Sequence, residues 1–317
     1  MREAVIVSAV RTAIGRQGGA LASIPAHVFG AEVMKEALKR ANVTADMVDD
    51  VILGNVLSGG GNIARLTALQ TGVFLGIPGL TVDRQCGSGI NAINLAAQAI
   101  WAGDGDIFVA GGVESMSRAP YLLDRPEKAY SPTPPRFRKS QLAPKEIGDP
   151  PMGITAENLV EKYNISREEQ DAFSLQSQQK MARAMEEGRF EEQIVPIYIP
   201  TRKGEPIEFK VDEHPRPETT KEGLEKLPAV FLNGGTVTAG SSSGLNDAAS
   251  VVVIMSREKA NQLGITPLAV VRAQAVAGVD PNILGIGPVP ATKKVLEKAG
   301  LALEDMDLIE INEAFAS

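Results

Sequence analysis

The sequence predicts an α/β protein built of two duplicated α/β halves, the second incomplete, with a loop domain inserted into the first. Three observations carry this. Short apolar runs alternate with helical periods over the first 117 residues, the pattern of parallel strands joined by crossover helices. Residues 37–55 (ALKRANVTADMVDDVILGN) align without gaps on residues 295–313 (VLEKAGLALEDMDLIEINE), at a constant offset of 258 residues (313 − 55). Prolines and scattered positive charge crowd residues 119–151, an excursion too long and irregular for an ordinary connection.

Val5 to Ala9 reads as a strand, and apolar positions 28, 29, 33, 34, 37 and 38 predict a helix over 28–40. Asp50 to Leu53 is strand-like, and Gly59 to Gly61 open a loop. Thr81 to Asp83 forms a short strand. After Cys86, residues Ile90, Ile93, Ala97, Ile100 and Trp101 line one helical face that stops at Gly103. Ile107 to Ala110 reads as a buried strand ending in Gly111-Gly112, and the plain alternative for the 111–117 motif is a tight strand-end turn with Glu114 in solvent. Two helices rich in Glu, Gln and Lys follow over 154–189, and a core strand returns at Ala248 to Met255. The domain boundaries follow: 1–117 with 248–264 as the first half, 118–247 as the inserted domain, and 265–317 as part of the second half. In the repeat Asn312-Glu313 stands where Gly54-Asn55 stands, but the counterpart of Cys86, 32 residues on (86 − 54), has no place within the chain.

A net charge of −7 argues against a nucleic-acid footprint and against an anionic membrane surface. No apolar run approaches the ~20 residues that span a bilayer, and the N-terminus enters a strand without a signal-peptide pattern. One cysteine excludes an internal disulfide framework and fits a reducing cytoplasm. With His27 and His214 as the sole histidines, a His/Cys zinc site is not expected. His27 is read as packing at a helix start and His214 as solvated.

Cys86 carries the chemistry. It sits between a strand and a helix in Arg84-Gln85-Cys86-Gly87-Ser88-Gly89, where helix N–H groups and dipole favour the nucleophilic thiolate. The flanking glycines would let an acyl group approach backbone donors. The competing reading is a buried cysteine acting as a small hydrophobe. Gly87-Ser88-Gly89-Ile90-Asn91-Ala92 formally matches a dinucleotide-binding pattern, but Asp83, Arg84 and Gln85 replace the apolar strand such a turn requires. Thr238 to Asp247 is a small-residue loop suited to a narrow ligand arm, with a flexible linker as its alternative.

Six segments together resemble the thiolases, the acetyl-CoA C-acetyltransferase and 3-ketoacyl-CoA thiolase family. They are VIVSAVRTAIGR at 5–16, RQCGSG at 84–89, GGVESMS at 111–117, MGITAEN at 152–158, GTVTAGSSSGLND at 235–247 and NEAFA at 312–316. The resemblance implies a thiolase-like fold and a reversible thioester Claisen reaction through a Cys86 acyl-enzyme. It implies that Asn312 positions a water at the thioester oxygen. Met152, Ser243, Leu245, Ala314 and Phe315 would line the pantetheine channel, and Arg216 would lie against the adenine. Acyl-CoA and coenzyme A would be the partners, with no other cofactor, in a homodimer or homotetramer. Pro151, where acetoacetyl-CoA-forming members often have His, leans towards the broader 3-ketoacyl type, and Gly223 replaces a frequent serine. The family's Gly-His-Pro and Cys-x-Gly-Gly motifs do not occur in these 317 residues, so the chain alone is expected to be inactive in turnover. An acetoacetyl-CoA-specific biosynthetic enzyme and a non-catalytic CoA-binding remnant are the alternatives.

Overall fold

The computed structural model describes residues 2–58, 61–73, 75–126, 128, 130 and 133–317. Gly59 and Gly60 of the expected loop, and parts of the 119–151 excursion, lie outside the described residues. In chain order the main elements are β1 (Ala4–Arg11), α1 (Ala26–Arg40), β2 (Asp50–Gly54), α2 (Ile63–Gln70), β3 (Gly79–Val82), α3 (Ser88–Ala102) and β4 (Ile107–Ser115). Then come α4 (Met152–Tyr163), α5 (Arg167–Glu186), α6 (Lys221–Glu225), β5 (Asn246–Ser256), α7 (Arg257–Leu263), β6 (Ala269–Val271) and α8 (Pro288–Ala299). They fall into two units: Met1–Pro120 with Gly188–His214 and Gly244–Arg272, and Tyr121–Glu187 with Pro215–Ser243 and Ala273–Ser317. The region expected as one inserted domain, 118–247, is shared between them.

The first unit is a sheet of order β6-β1-β5-β4-β2-β3, with the short strand Gly15–Arg16 added to β5. β2, β3 and β4 are parallel, as their crossover helices require. β5, whose direction the sequence left open, is antiparallel to β4 and to β1. The chain enters β5 beside the C-terminal end of β4, where Asp247 faces Ser115, and so must run back along it. Alternate residues divide between two cores, as strand geometry dictates. Val51, Leu53, Ile107, Val109, Val251 and Val253 meet Phe29, Val33 and Met34 of α1. Ile52, Phe108, Ala110, Val252 and Ile254 meet Ala92, Ala96, Ala97 and Ile100 of α3.

β4 does not end at Gly111-Gly112 as expected; it runs on through both glycines to Ser115. Gly111 has φ +152°, and a Cβ there would collide with the Ser250 carbonyl oxygen. The glycines are there for close strand contact, not for a turn.

In the second unit α4 carries Glu157, whose buried carboxylate accepts the N–H groups of Thr236 and Val237. Asn158 of the same helix donates to the Asn282 carbonyl at 2.8 Å. The internal repeat is visible as backbone geometry. α1 and α8 are each followed by a left-handed residue, Asn42 (φ 50°) and Gly300 (φ 67°), and then by 3₁₀ turns at Ala45–Met47 and Leu303–Asp305. All keep the 258-residue offset (300 − 42, 303 − 45). The copies part at the strand. β2 lies between β3 and β4, whereas 308–312 is irregular and exposes Leu308, Ile309 and Ile311, with no strand paired to it among the described residues. No helix among the described residues is long and apolar enough to cross a membrane.

Candidate active site

Cys86 stands immediately before Gly87, the N-cap residue of α3, and it is exposed, which removes the buried-hydrophobe reading. The turn that presents it is strained. Gln85 adopts the left-handed region (φ 50°), which disfavours a side chain. Its neighbours hold it there: the Gln85 N–H donates to Asp83 Oδ1 at 2.8 Å, and Ser88 Oγ donates to the Gln85 carbonyl at 2.5 Å. Ser88 Oγ also accepts the Arg84 N–H at 2.8 Å. The N–H groups of Gly87 and Ser88 are already given to the Arg84 and Gln85 carbonyls, so those two cannot serve an acyl oxygen as expected.

Gly89 contributes to packing instead, lying against Gly111 and Gly112. Gly54, which sequence reasoning passed over, matters more. A Cβ at Gly54 would stand 2.5 Å from the Ser88 carbonyl carbon and 2.6 Å from the Gly89 nitrogen. The nucleophile turn can approach β2 only because no side chain is present there.

Glu114, which the plain alternative put in solvent, is a half-buried clamp. Its carboxylate accepts the Val56 N–H (2.8 Å), the Leu57 N–H (3.1 Å), Asn55 Nδ2 (3.1 Å) and Ser58 Oγ (2.5 Å). The Asn55 N–H bonds the Val82 carbonyl, so this network fixes the loop after β2 beside the strand leading to Cys86. Ser117 of the same motif donates its N–H and hydroxyl to the buried Asp247. His214 is only partly exposed. Its ring lies over Gly244, with Nε2 3.4 Å from the Leu245 carbonyl. His27 lies in the first turn of α1, where burial and then the Arg118 guanidinium hold its imidazole below the ordinary value.

In the second unit four of the implied substrate residues converge. The Ser243 N–H donates to the Ala314 carbonyl at 2.9 Å, and the Ala316 N–H to the Ser241 carbonyl at 2.9 Å, making Ser242 and Phe315 an antiparallel pair. Phe315 packs edge-on against Phe231, centroids 5.8 Å apart, and the Phe231 ring covers Gly153, next to Met152. The 236–243 stretch is bonded throughout, by Glu157 at Thr236 and Val237 and by Thr238 at Ser241 and Ser242, so it is no flexible linker. Arg216 and Asn312 are exposed. Cys86 and Leu245 belong to the first unit, the other six residues to the second. Phe231, Ser177 and Gln178 had no signal in the sequence beyond being polar or apolar. A cavity of about 700 Å³ in the first unit is lined by residues such as Val28, Phe29, Ile197 and Tyr198, none of them from the 84–89 or 111–117 motifs.

Comparison with known proteins agrees with this arrangement. Residues 4–258 match the family model "Thiolase, N-terminal domain", and 265–317 match "Thiolase, C-terminal domain". The chain is 49% identical over 322 residues to an acetyl-CoA acetyltransferase of Pseudomonas aeruginosa, covering 100% of this chain and 82% of the relative. It is 46% identical over 328 residues to a 3-oxoadipyl-CoA/3-oxo-5,6-dehydrosuberyl-CoA thiolase of Escherichia coli, again covering 100% and 82%. The crystal structure of the Bacillus anthracis acetyl-CoA acetyltransferase superposes with a TM-score of 0.94 at 45% identity, covering 100% of this chain and 81% of that one. With the exposed cysteine turn and the 241–243/314–316 pairing in place, these matches mean that the chain has the thiolase fold and belongs to the thiolase family of acyltransferases.

Proposed function

We propose that the chain takes an acyl group onto Cys86 from a CoA thioester, in the reversible cleavage of 3-ketoacyl-CoA and condensation of acyl-CoA with acetyl-CoA. The observation that carries this is the exposed Cys86 on its strained turn at the start of α3. In the cleavage direction the Cys86 sulfur attacks the keto carbon, and the bond between that carbon and the α-carbon breaks. The acetyl-CoA enolate leaves and takes up a proton. The thiol of a second CoA then accepts the acyl group and returns the sulfur. Asn312 is assigned a water that stabilises the thioester oxygen as it gains charge. Met152, Ser243, Leu245, Ala314 and Phe315 are assigned the pantetheine arm and Arg216 the adenine. CoA thioesters enter as substrates, and no other cofactor is proposed. Acetyl-CoA alone should then acetylate Cys86 and no other residue.

Pro151 favours a broad 3-ketoacyl range, and relatives named for acetyl-CoA and for 3-oxoadipyl-CoA stand at similar identity. On this substrate chemistry we assign the reaction to fatty acid metabolism, and the one unpaired cysteine supports a cytoplasmic setting. We also assign a homodimer or homotetramer. β3 is one of the sheet's two edge strands and exposes Leu80, so a two-fold partner can extend the ladder there. Light scattering should give a dimer or tetramer mass; a monomer mass alone contradicts it.

A further inference from the structure

We propose that Ser177 and Gln178, adjacent on α5, are positioning residues for two different parts of the acyl-CoA site, the thioester end and the nucleotide end. This rests on the acyl-CoA reading above. Ser177 Oγ donates to Glu313 Oε2 at 2.6 Å. The backbone bonds to Ser241 and Ser243 hold the 312–316 segment at Ala314 and Ala316. The Ser177 bond holds its other end, beside Asn312. The Asn312 side chain is exposed and makes no hydrogen bond among the described residues, so its direction depends on how that backbone is held.

One residue along α5, Gln178 Oε1 accepts the Arg216 N–H at 2.8 Å. The Arg216 carbonyl accepts the Thr219 N–H (3.0 Å) and hydroxyl (2.7 Å). Its backbone is thus tied on both sides while the side chain stays exposed, the preorganised state that lowers the ordering cost of binding. Successive helical side chains diverge by about 100°, so neighbouring residues can serve separate segments.

Calorimetric titration with CoA, and acetyl transfer from saturating acetyl-CoA followed by mass, separate the two roles. Gln178→Ala should weaken CoA binding about tenfold, the effect of one lost hydrogen bond, and leave the saturated transfer rate within about twofold. Ser177→Ala should do the reverse, slowing transfer about tenfold with CoA affinity nearly unchanged. Gln178→Glu keeps the acceptor and Ser177→Thr keeps the donor, so each should restore the wild-type value. If both alanine variants move both readouts together, or neither readout moves, the positioning roles are overturned. A wild-type chain that binds no CoA overturns the acyl-CoA reading itself.

Discussion

Gly111→Ala is expected to abolish the cooperative folding of the first unit. At φ +152° an alanine is disfavoured wherever there is space, and here there is none, because the new Cβ would collide with the Ser250 carbonyl oxygen. Relief requires β4 and β5 to separate. That opens the ladder from Ile107–Met255 to Ser115–Asp247 and the cores on both faces of it. Several buried contacts and ladder bonds go together, so the loss is at least about 4 kcal/mol, against a total stability of about 5–15 kcal/mol. Gly264→Ala provides the scale. Gly264 is left-handed (φ 68°), but a Cβ there would meet no atom within 4 Å, so only the conformational penalty of about 1 kcal/mol applies. Thermal unfolding followed by circular dichroism compares them. Gly111→Ala should lose its transition or drop by more than about 10 °C and Gly264→Ala by about 2–4 °C. Equal, small shifts would show that β4 and β5 do not approach as described.

The second large effect concerns turnover. The 317-residue chain should cleave acetoacetyl-CoA about 10²–10⁴-fold more slowly than a fusion carrying the part of the Pseudomonas aeruginosa relative outside the match, the usual cost of a missing acid–base group. Acyl transfer to sulfur needs chiefly the thiolate and oxyanion stabilisation, but the carbon–carbon step also needs a proton moved at the acetyl α-carbon. Among the described residues neither histidine is placed for this, and there is no second cysteine. His27 lies within α1, and His214 is taken up over Gly244. The resemblance assigns the task to Gly-His-Pro and Cys-x-Gly-Gly motifs, which these residues do not contain. Steady-state rates of the two proteins side by side decide it. Turnover by the shorter chain within about tenfold of the fusion would mean that another residue moves the proton.

What the sequence disclosed was what short-range pattern can encode. The 3.6-residue period gave α1, whose Phe29, Val33, Met34, Ala37 and Leu38 are indeed buried, and the repeat gave a helix and a turn in each copy, which the structure shows with left-handed residues at Asn42 and Gly300. The exposed position of Cys86 was legible because a lone cysteine followed by Gly87 and Gly89 at a strand-to-helix junction has few dull explanations. The failures share one cause: the partner lies far along the chain. Glu114 looks like a solvated residue until Val56 and Leu57, more than fifty positions earlier, present their N–H groups to it. Gly111 looks like a turn until Ser250 is placed beside it. His214 looks solvated until Gly244 comes under its ring. β5 reads as one more core strand, and only its register against Ser115 reveals its direction. The counterpart of β2 carries a strand-like sequence at 308–312, but a strand also needs neighbours, which sequence pattern does not count.

The role of Cys86 as the acyl-accepting nucleophile has a direct test. The 317-residue chain is incubated with acetyl-CoA and denatured in acid, and its intact mass and peptide map are measured. One added acetyl group is expected, located on the peptide containing Cys86, lost on addition of free CoA and absent from Cys86→Ala. An acetyl group found on another residue, or retained in Cys86→Ala, would contradict it.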